Sequence, residues 1–319
     1  RLRNQVSFML SACNFYMPIF EEALDAYGLP LELRYLPIIE SALNPSAVSR
    51  AGASGLWQFM IGTGKIYGLE SNSLVDERRD PIKATWAAAR YLKEMYDIYG
   101  DWNLVIAAYN CGPGTINKAI RRANGETDYW KIYNYLPKET RGYVPAFIAA
   151  NYVMTYYCDH NICPMETNIP ASTDTVQVNK NLHFEQIADL CNVPLDQIKS
   201  LNPQYKKQMI PGDSKPYTLR LPIDAISTFI DKQDTIYAHR ADELFRNRKT
   251  VAVKEITPST RKTTTAVAGK GKLTYYTIKS GDTLSTIAGK YGVTIKDIQR
   301  WNGMSNTKIA AGKRLKIYK

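Results

Sequence analysis

The C-terminal half of the chain carries the same short pattern of residues twice, in one register and 100 residues apart. The matching positions are Ile187-Ala188 and Ile287-Ala288, Val193 and Val293, Ile198 and Ile298, and Leu201-Asn202 and Trp301-Asn302. Several matches at one offset indicate a small duplicated unit. Since the chain has 319 residues, the repeat leaves room for a separate domain in front of it, and we predict a modular protein.

The N-terminal half has a different pattern, in which apolar residues recur three and four positions apart. Helical runs of this kind start at Pro18 and Lys83, and turn signals such as Gly112-Pro113 separate them. We therefore predict a multidomain protein, with an all-α domain followed by two small α+β modules. The predicted boundaries are residues 1–168 for the helical domain, 169–235 and 273–319 for the modules, and 236–272 for a basic, threonine-rich linker.

Positive charge is concentrated at the C-terminal end. The net charge of +11 divides into −2 over residues 1–235, +6 over 236–272 and +7 over 273–319. Nucleic acid, anionic lipid and an anionic cell-wall polymer would all fit a basic C-terminal region. Because this region lacks interleaved aromatic and basic residues and any recognition-helix pattern, we predict no binding to nucleic acid.

Neither the cysteines nor the histidines are spaced as in metal sites. The five cysteines form no CxxC pair and the three histidines are scattered, so we predict no metal and no cofactor. Cys158 and Cys163 could form a disulfide in an oxidising compartment, with free thiols as the alternative. No stretch reaches the roughly 18 apolar residues that cross a membrane. The chain begins at Arg1 without a leader, and we expect that a targeting segment has been removed.

One carboxylate, that of Glu40, ends the apolar run that starts at Tyr35. Burial disfavours the anion and raises the pKa of a carboxylic acid, which lets it donate a proton near neutral pH. A glutamate at such a place can equally be a structural partner of a backbone amide or an arginine. The position alone leaves both interpretations open.

Four sequence motifs, the first of which begins at Glu40, follow one another along the chain in a characteristic order. They are Glu40-Ser-Ala-Leu-Asn-Pro45, Ser49-Arg-Ala-Gly-Ala-Ser-Gly-Leu-Trp-Gln-Phe-Met60, Ala107-Ala-Tyr-Asn-Cys-Gly-Pro-Gly114 and Glu139-Thr-Arg-Gly-Tyr-Val-Pro145. Together they resemble family 1 lytic transglycosylases, the goose-lysozyme-like cell-wall enzymes, over about residues 15–160. The Gly-Leu-Trp-Gln-Phe sequence is similar to the membrane-bound lytic murein transglycosylase D type. The resemblance implies a lysozyme-like helical domain with Glu40 as the catalytic acid.

The same resemblance implies substrate-binding roles for other residues of the motifs. These residues are Ser49, Gly55, Trp57, Gln58, Phe59, Tyr109, Asn110 and Tyr143. Ser49 and Gln58 are expected to form hydrogen bonds near Glu40 or the sugar. Trp57 and Phe59 are expected to line the cleft, and Tyr109 and Asn110 to contact the N-acetylmuramoyl unit. Core packing is the alternative for Trp57, Phe59 and Tyr143.

The mechanism implied by the family needs one carboxylate, whereas ordinary glycosidases use two. Glu40 would protonate the oxygen between N-acetylmuramic acid and N-acetylglucosamine, and would then take the proton of the C6 hydroxyl to leave a 1,6-anhydro end. A hydrolytic muramidase or chitinase is the alternative, and it would need a second carboxylate or a positioned water opposite Glu40. Asp76, Glu77 and Asp80 are candidates for the second carboxylate, unless they are surface charges around a turn.

The last module resembles a LysM domain over its whole length, from Tyr275 to Ile317. The resemblance implies a βααβ module that holds N-acetylglucosamine in a groove between two loops. The groove residues would be Gly281, Asp282, Thr283 and Leu284 of one loop and Ile309 of the other. The first copy has Asn181-Leu-His-Phe184 in place of Gly-Asp-Thr-Leu, so it is either a glycan binder or a spacer that packs on the catalytic domain.

These observations predict a bacterial envelope enzyme that acts in the periplasm on the glycan strands of peptidoglycan, as a monomer. Anchoring to the outer membrane through a removed, lipidated N-terminus is a hypothesis. A non-catalytic wall-binding protein is a further alternative. The joint presence of Glu40, Gln58, Tyr109 and Asn110 argues against it.

Overall fold

The computed structural model divides into two compact units, residues 1–254 and 255–319. The residues that it describes are 3–166, 170, 172–245, 273–279, 282–304, 306 and 309–318. The helical domain and the first copy of the repeat, residues 172–245, belong to the first unit, and the second copy, residues 273–318, belongs to the second. We call the two copies the first and second modules. Within the described ranges, no helix is both long and apolar enough to cross a membrane.

The N-terminal domain is all-α, as predicted. Its helices are α1 (Arg3–Ala26), α2 (Leu36–Ser41), α3 (Ile61–Ile66), α4 (Pro81–Tyr99), α5 (Trp102–Cys111), α6 (Pro113–Arg122), α7 (Tyr129–Ile132) and α8 (Lys138–Thr155), with short 3-10 helices at Leu31–Tyr35, Glu77–Arg79 and Tyr133–Tyr135. Helix α4 packs against α1 and α5, and α5 packs against α6 and α8. The apolar stripes of these helices form one continuous core.

Capping residues fix the corner between the two central helices. Asp80 accepts hydrogen bonds from two backbone N–H groups in the first turn of α4, and Pro81 occupies the first position of that helix. Gly100 ends α4 with a left-handed φ of 61°, and Asp101 then caps α5. Helix α5, which is buried from Leu104 to Ala108, is thereby positioned to carry Tyr109 toward the end of α2.

The first module is an α+β unit with two small antiparallel sheets. Its elements are β1 (Thr173–Val178), β2 (Asn181–His183), α9 (Phe184–Cys191), α10 (Leu195–Leu201), a 3-10 helix (Lys206–Gln208), β3 (Met209–Pro211), β4 (Tyr217–Pro222), α11 (Ile223–Asp231), α12 (Gln233–Ala238) and α13 (Ala241–Leu244). Strand β1 pairs with β4, and β2 pairs with β3.

The second module has the predicted βααβ order, with β5 (Leu273–Thr277), α14 (Leu284–Tyr291), α15 (Ile295–Asn302) and β6 (Arg314–Tyr318). One asparagine plays the same part in both modules. Asn202 exchanges two hydrogen bonds with the backbone of Arg220 in β4, each 2.8 Å, and Asn302 does so with Lys316 in β6, at 2.7 and 2.8 Å. The structure therefore confirms that the repeat in the sequence is a duplicated fold.

The predicted linker over residues 236–272 begins too early. Helices α12 and α13 extend to Leu244, and Ile236, Tyr237 and Leu244 are buried. Ile236 and Tyr237 pack in the core of the first module although the surrounding composition is basic, so α12 belongs to that module. Residues 246–272 of the predicted linker lie outside the described residues.

Candidate active site

Glu40 lies at the C-terminal end of the short helix α2, where the chain reverses direction. Ala42 and Leu43 follow with left-handed φ values of 51° and 58°, which end the helix. The hydroxyl of Ser41 lies 2.9 Å from the carbonyl oxygen of Leu56. Leu56 belongs to a glycine-containing segment, residues 47–59, that we call the glycine loop. Ser41 therefore links the helix that carries Glu40 to this loop.

The Glu40 carboxylate is partly buried and accepts a hydrogen bond from the hydroxyl of Tyr143 in α8. Burial raises the pKa of Glu40 to about 7; the Tyr143 hydrogen bond opposes this shift and the negative charge of Glu139 adds to it. Near neutral pH the group is therefore present both as an acid and as a carboxylate. Such a group can donate a proton and later take one back.

Helix α5 brings two further motif residues to the site. The hydroxyl of Tyr109 donates a hydrogen bond of 2.6 Å to the carbonyl oxygen of Trp57, and burial together with the charge of Glu40 raises the pKa of Tyr109 well above its ordinary value. Asn110 accepts a hydrogen bond of 2.9 Å from the hydroxyl of Thr140 in α8. The structure thus groups Tyr109 and Tyr143 around Glu40, with Asn110 next to Tyr109.

Ser49 and Gln58 hold the glycine loop in shape. The Ser49 hydroxyl accepts a hydrogen bond of 3.0 Å from the N–H of Ala53, and the amide nitrogen of Gln58 donates one of 2.8 Å to the carbonyl oxygen of Gly55. Gln58 has a left-handed φ of 49°, and its own side-chain bond fixes this turn. We expected both side chains to bond near Glu40 or the sugar; the bonds found for them instead lie within the loop.

The prediction that the side chains of Trp57 and Phe59 line the cleft is wrong. They are only 1% and 3% exposed and belong to the domain core. The indole nitrogen of Trp57 donates a hydrogen bond of 2.9 Å to Thr85 in α4, and its ring meets the ring of Phe20 in α1 edge to face. Rings enclosed in this way cannot stack on a sugar, so they fasten the glycine loop to the core.

The three acidic residues considered as a second carboxylate all have structural partners. Asp76 forms two hydrogen bonds of 2.8 Å with Arg78, Glu77 pairs with Lys83, and Asp80 caps α4. Asp76 and Glu77 are also buried, so the interpretation as surface charges is wrong for these two residues. Buried carboxylates are found where cations or amides compensate them, as here.

Three residues that support the site were not predicted from the sequence. Ser41 connects α2 to the glycine loop, Thr140 binds Asn110, and the charge of Glu139 raises the pKa of Glu40. All three lie inside the motifs that the sequence singled out. Serine, threonine and glutamate are common at surfaces and helix starts, so the motif alone gave no reason to select them.

The glycan-binding residues predicted in the second module differ in their surroundings. Asp282 is partly buried and accepts hydrogen bonds within its own loop, and the exposed Thr283 caps α14. The side chain of Leu284 is buried in the module core. Ile309 is partly buried, and Gly281 lies outside the described residues.

All five cysteines are free thiols, including Cys158 and Cys163, so the structure favours the second of the two interpretations. Among the described residues, histidine, cysteine and acidic side chains form no group of three that could hold a metal ion.

Three families match the chain, in an order that follows its domains. Residues 17–132 match the transglycosylase SLT domain, residues 172–238 match the lytic transglycosylase MltD LysM-like domain, and residues 276–317 match the LysM domain. The second of these ranges includes α12, which agrees with the corrected extent of the first module.

The chain is also similar to individual proteins. It is 33% identical over 296 residues to the membrane-bound lytic murein transglycosylase D of Escherichia coli (strain K12), which covers 91% of this chain and 60% of that protein. The soluble lytic murein transglycosylase of the same strain is 33% identical over 124 residues, 37% of this chain and 19% of that one. The chain also matches the crystal structure of the 70 kDa soluble lytic transglycosylase of Escherichia coli. The matched region covers 45% of this chain and 24% of that chain, with 29% identity and a TM-score of 0.39. The chain thus spans about 60% of the length of the first of these relatives.

Proposed function

The chain belongs to the lytic transglycosylase family with C-terminal LysM modules, and we propose that it cleaves the glycan strands of peptidoglycan without consuming water. The observation that carries the proposal is Glu40, which lies within the SLT match. This partly buried carboxyl has a pKa of about 7 and a tyrosine hydroxyl bonded to it. A single group in this state can serve as acid and then as base.

The proposed reaction has two steps. In the first, Glu40 donates its proton to the glycosidic oxygen, the bond from that oxygen to C1 of N-acetylmuramic acid breaks, and the substrate's N-acetyl oxygen forms a bond to C1. In the second, the Glu40 carboxylate takes the proton of the C6 hydroxyl, whose oxygen bonds to C1 as the N-acetyl oxygen departs. The proton is back on Glu40 and the product has a 1,6-anhydro ring. Between the steps, the hydroxyl of Tyr143 stabilises the carboxylate.

Hydrolysis is the second candidate function, because the charge of a second carboxylate, that of Glu139, acts on Glu40. Glycosidases that hydrolyse their substrates ordinarily use two such groups. Glu139 lies exposed in the first turn of α8. The transglycosylase proposal is preferred because the family match covers the Glu40 motif and the loop that surrounds it.

The products distinguish these two functions. We expect purified peptidoglycan to yield muropeptides about 18 Da lighter than the hydrated forms, since ring closure replaces water. In water enriched in oxygen-18, mass spectrometry should find no label in these products. Hydrated reducing ends with one heavy oxygen would instead establish a muramidase.

We propose that the second module retains the enzyme on the cell wall through N-acetylglucosamine units, and that the enzyme acts in the bacterial envelope. The match to the LysM domain and the net charge of +7 over residues 273–319 support this, because peptidoglycan strands are anionic. The relative from Escherichia coli is named a membrane-bound enzyme. Outer-membrane anchoring and a monomeric state stay predictions.

Deletion of residues 273–319 should weaken sedimentation of the protein with insoluble peptidoglycan about tenfold or more, since a tethered second binding site adds avidity. The kcat for short soluble glycan fragments should be unchanged. Equal sedimentation of the shortened and full-length chains would exclude a glycan-binding role for the second module.

A further inference from the structure

In the first module, the two loops that correspond to a glycan groove are hydrogen-bonded to each other. Residues 281–284 of the second module correspond to residues 181–184. The loop around Ile309 corresponds to residues 209–213, because the offset is 100 before this loop but 96 after it, where Lys316 takes the place of Arg220. There the chain forms β2 and β3, an antiparallel pair with Leu182 opposite Ile210. Both of these side chains are fully buried. The backbone edges that would face a sugar are therefore paired with each other.

The turn after β3 closes the same region further. A Cβ atom at Gly212 would lie 2.2 Å from the carbonyl oxygen of Lys180, so the two backbones are in direct contact. Asp213 accepts a hydrogen bond of 3.1 Å from the N–H of Asn181. These contacts leave no space for a saccharide ring between the two loops. The first module instead binds a surface of the helical domain.

That surface is residues 70–79 of the helical domain, which we call the support segment. Val75 forms an antiparallel bridge with Tyr205. The N–H of Asp76 donates a hydrogen bond of 2.8 Å to the carbonyl oxygen of Gln204, and the N–H of Lys206 donates one of 2.6 Å to the carbonyl oxygen of Leu74. Leu74 and Val75 are buried within the core of the first module. The support segment therefore extends the fold of the first module by β-pairing.

The support segment in turn holds the glycine loop. Arg78 forms two hydrogen bonds with Asp76, and it donates from one guanidinium nitrogen to the carbonyl oxygens of Gly52 and Phe59, each at 2.9 Å. The Asp76 and Arg78 side chains are 1% and 6% exposed. The amine of Lys206 lies 3.6 Å from the Asp76 carboxylate and donates to the carbonyl oxygen of Asn72 at 2.9 Å. One continuous chain of polar contacts thus joins the first module to the loop beside Glu40.

We propose that the first module is a positioning element of the active site and not a glycan-binding module, with Lys206 and Asp76 as positioning residues that fix the glycine loop through Arg78. The proposal rests on the proposed function only in assuming that the glycine loop contacts the glycan. Burial works against ionisation of Asp76, but the bonds and charge of Arg78, with the charges of Lys206 and Arg79, hold the pKa of Asp76 below its ordinary value. The carboxylate therefore stays charged and keeps the arginine oriented.

Lys206→Met in the full-length chain tests this inference, because Lys206 is partly exposed and its loss leaves the Asp76–Arg78 pair in place. Hydrogen exchange of the backbone amides of residues 47–59, followed by mass spectrometry without substrate, should become about three- to tenfold faster. With soluble glycan fragments, KM should rise by a similar factor while the pH profile of kcat is unchanged. Lys206→Arg should restore both values, and Asp76→Asn should produce a larger change of the same kind.

Lys215→Met is the matched control. Lys215 also lies on the first module and pairs with the support segment, at 2.7 Å from Glu70, but it does not contact Asp76 or Arg78 among the interactions of the described residues. It should leave exchange in residues 47–59 and KM unchanged. A lower melting temperature for Lys206→Met with unchanged exchange and KM would overturn the inference. Since the exchange measurement involves no turnover, it remains decisive even if the unaltered chain proves to be inactive.

The closed groove is tested separately by NMR titration of the Glu40→Gln chain with the tetramer of N-acetylglucosamine. We expect no shifts at the amides of residues 181–184 and 209–211, while those at 282–284 and 309 move. Saturable shifts in the first set would show that the first module binds glycan, and would overturn that half of the proposal.

Discussion

Glu40→Gln is expected to reduce the turnover of peptidoglycan by about 10³- to 10⁴-fold, because one residue is lost as both acid and base. The amide is almost the same size as the carboxyl, and its oxygen can still accept the hydrogen bond from Tyr143. Binding to the cell wall should therefore persist. The measurement is the release of anhydro-muropeptides. Glu22→Gln, the same change at an exposed position of α1, is the control and should retain full activity.

The same variant should be more stable than the unaltered chain above pH 7. Burial raises the pKa of Glu40 from 4.5 to about 7 in the folded protein. Below pH 4.5 both the folded and unfolded states are protonated, so this group contributes no difference. Between these values only the folded state keeps the proton, and stability falls as the pH rises. Above pH 7 the penalty is complete, on the order of 3 kcal/mol.

Urea unfolding at pH 4 and pH 8 measures this effect. Glu40→Gln removes the ionisation, so its free energy of unfolding should exceed that of the unaltered chain at pH 8 and match it at pH 4. In the unaltered enzyme, kcat should fall as the pH rises through about 7, since the acid form of Glu40 is lost. Full activity of Glu40→Gln would remove Glu40 from the mechanism. Unequal stabilities at pH 4 would trace the effect to packing and not to the proton.

The sequence predicted the parts of the molecule that depend on local pattern. Helical periodicity indicated the all-α domain, and the offset of 100 residues indicated two modules of one fold, which Asn202 and Asn302 confirm in detail. The apolar run before Glu40 predicted its desolvation, because a carboxyl that ends a buried helix has few routes to water. These features require only neighbours in the chain.

The errors concern residues whose role depends on where the side chain points. Trp57 and Phe59 flank Gln58 in a motif, but both rings pack in the domain core. The sequence Asp76-Glu-Arg-Arg79 is typical of a charged surface turn, yet the first module covers Asp76. Spacing along the chain cannot reveal a contact between residues more than a hundred positions apart, such as that between Leu74 and Lys206.

The backbone contact behind the glycine loop leads to the largest expected loss of stability, for Gly55→Ala. The φ of Gly55 is +89°, a region that side-chain-bearing residues rarely adopt, and a Cβ atom there would lie 1.8 Å from the carbonyl oxygen of Arg78. Either the loop or the support segment must move, although the Arg78 side chain of that segment is bonded to the loop. We expect a loss of about 3 to 5 kcal/mol in the free energy of unfolding, from backbone strain and overpacking together.

Gly52→Ala separates these two contributions. Gly52 has nearly the same φ, +90°, but no atom lies within 4 Å of the position of an added Cβ. Its replacement should therefore report strain alone, about 1 to 2 kcal/mol in urea unfolding. A clearly larger loss for Gly55→Ala, together with a raised KM for glycan fragments, would mean that contact with the Arg78 backbone fixes the loop beside Glu40. Equal losses would mean that the left-handed turns alone shape the loop, and that the spacing from the support segment does not matter to the site.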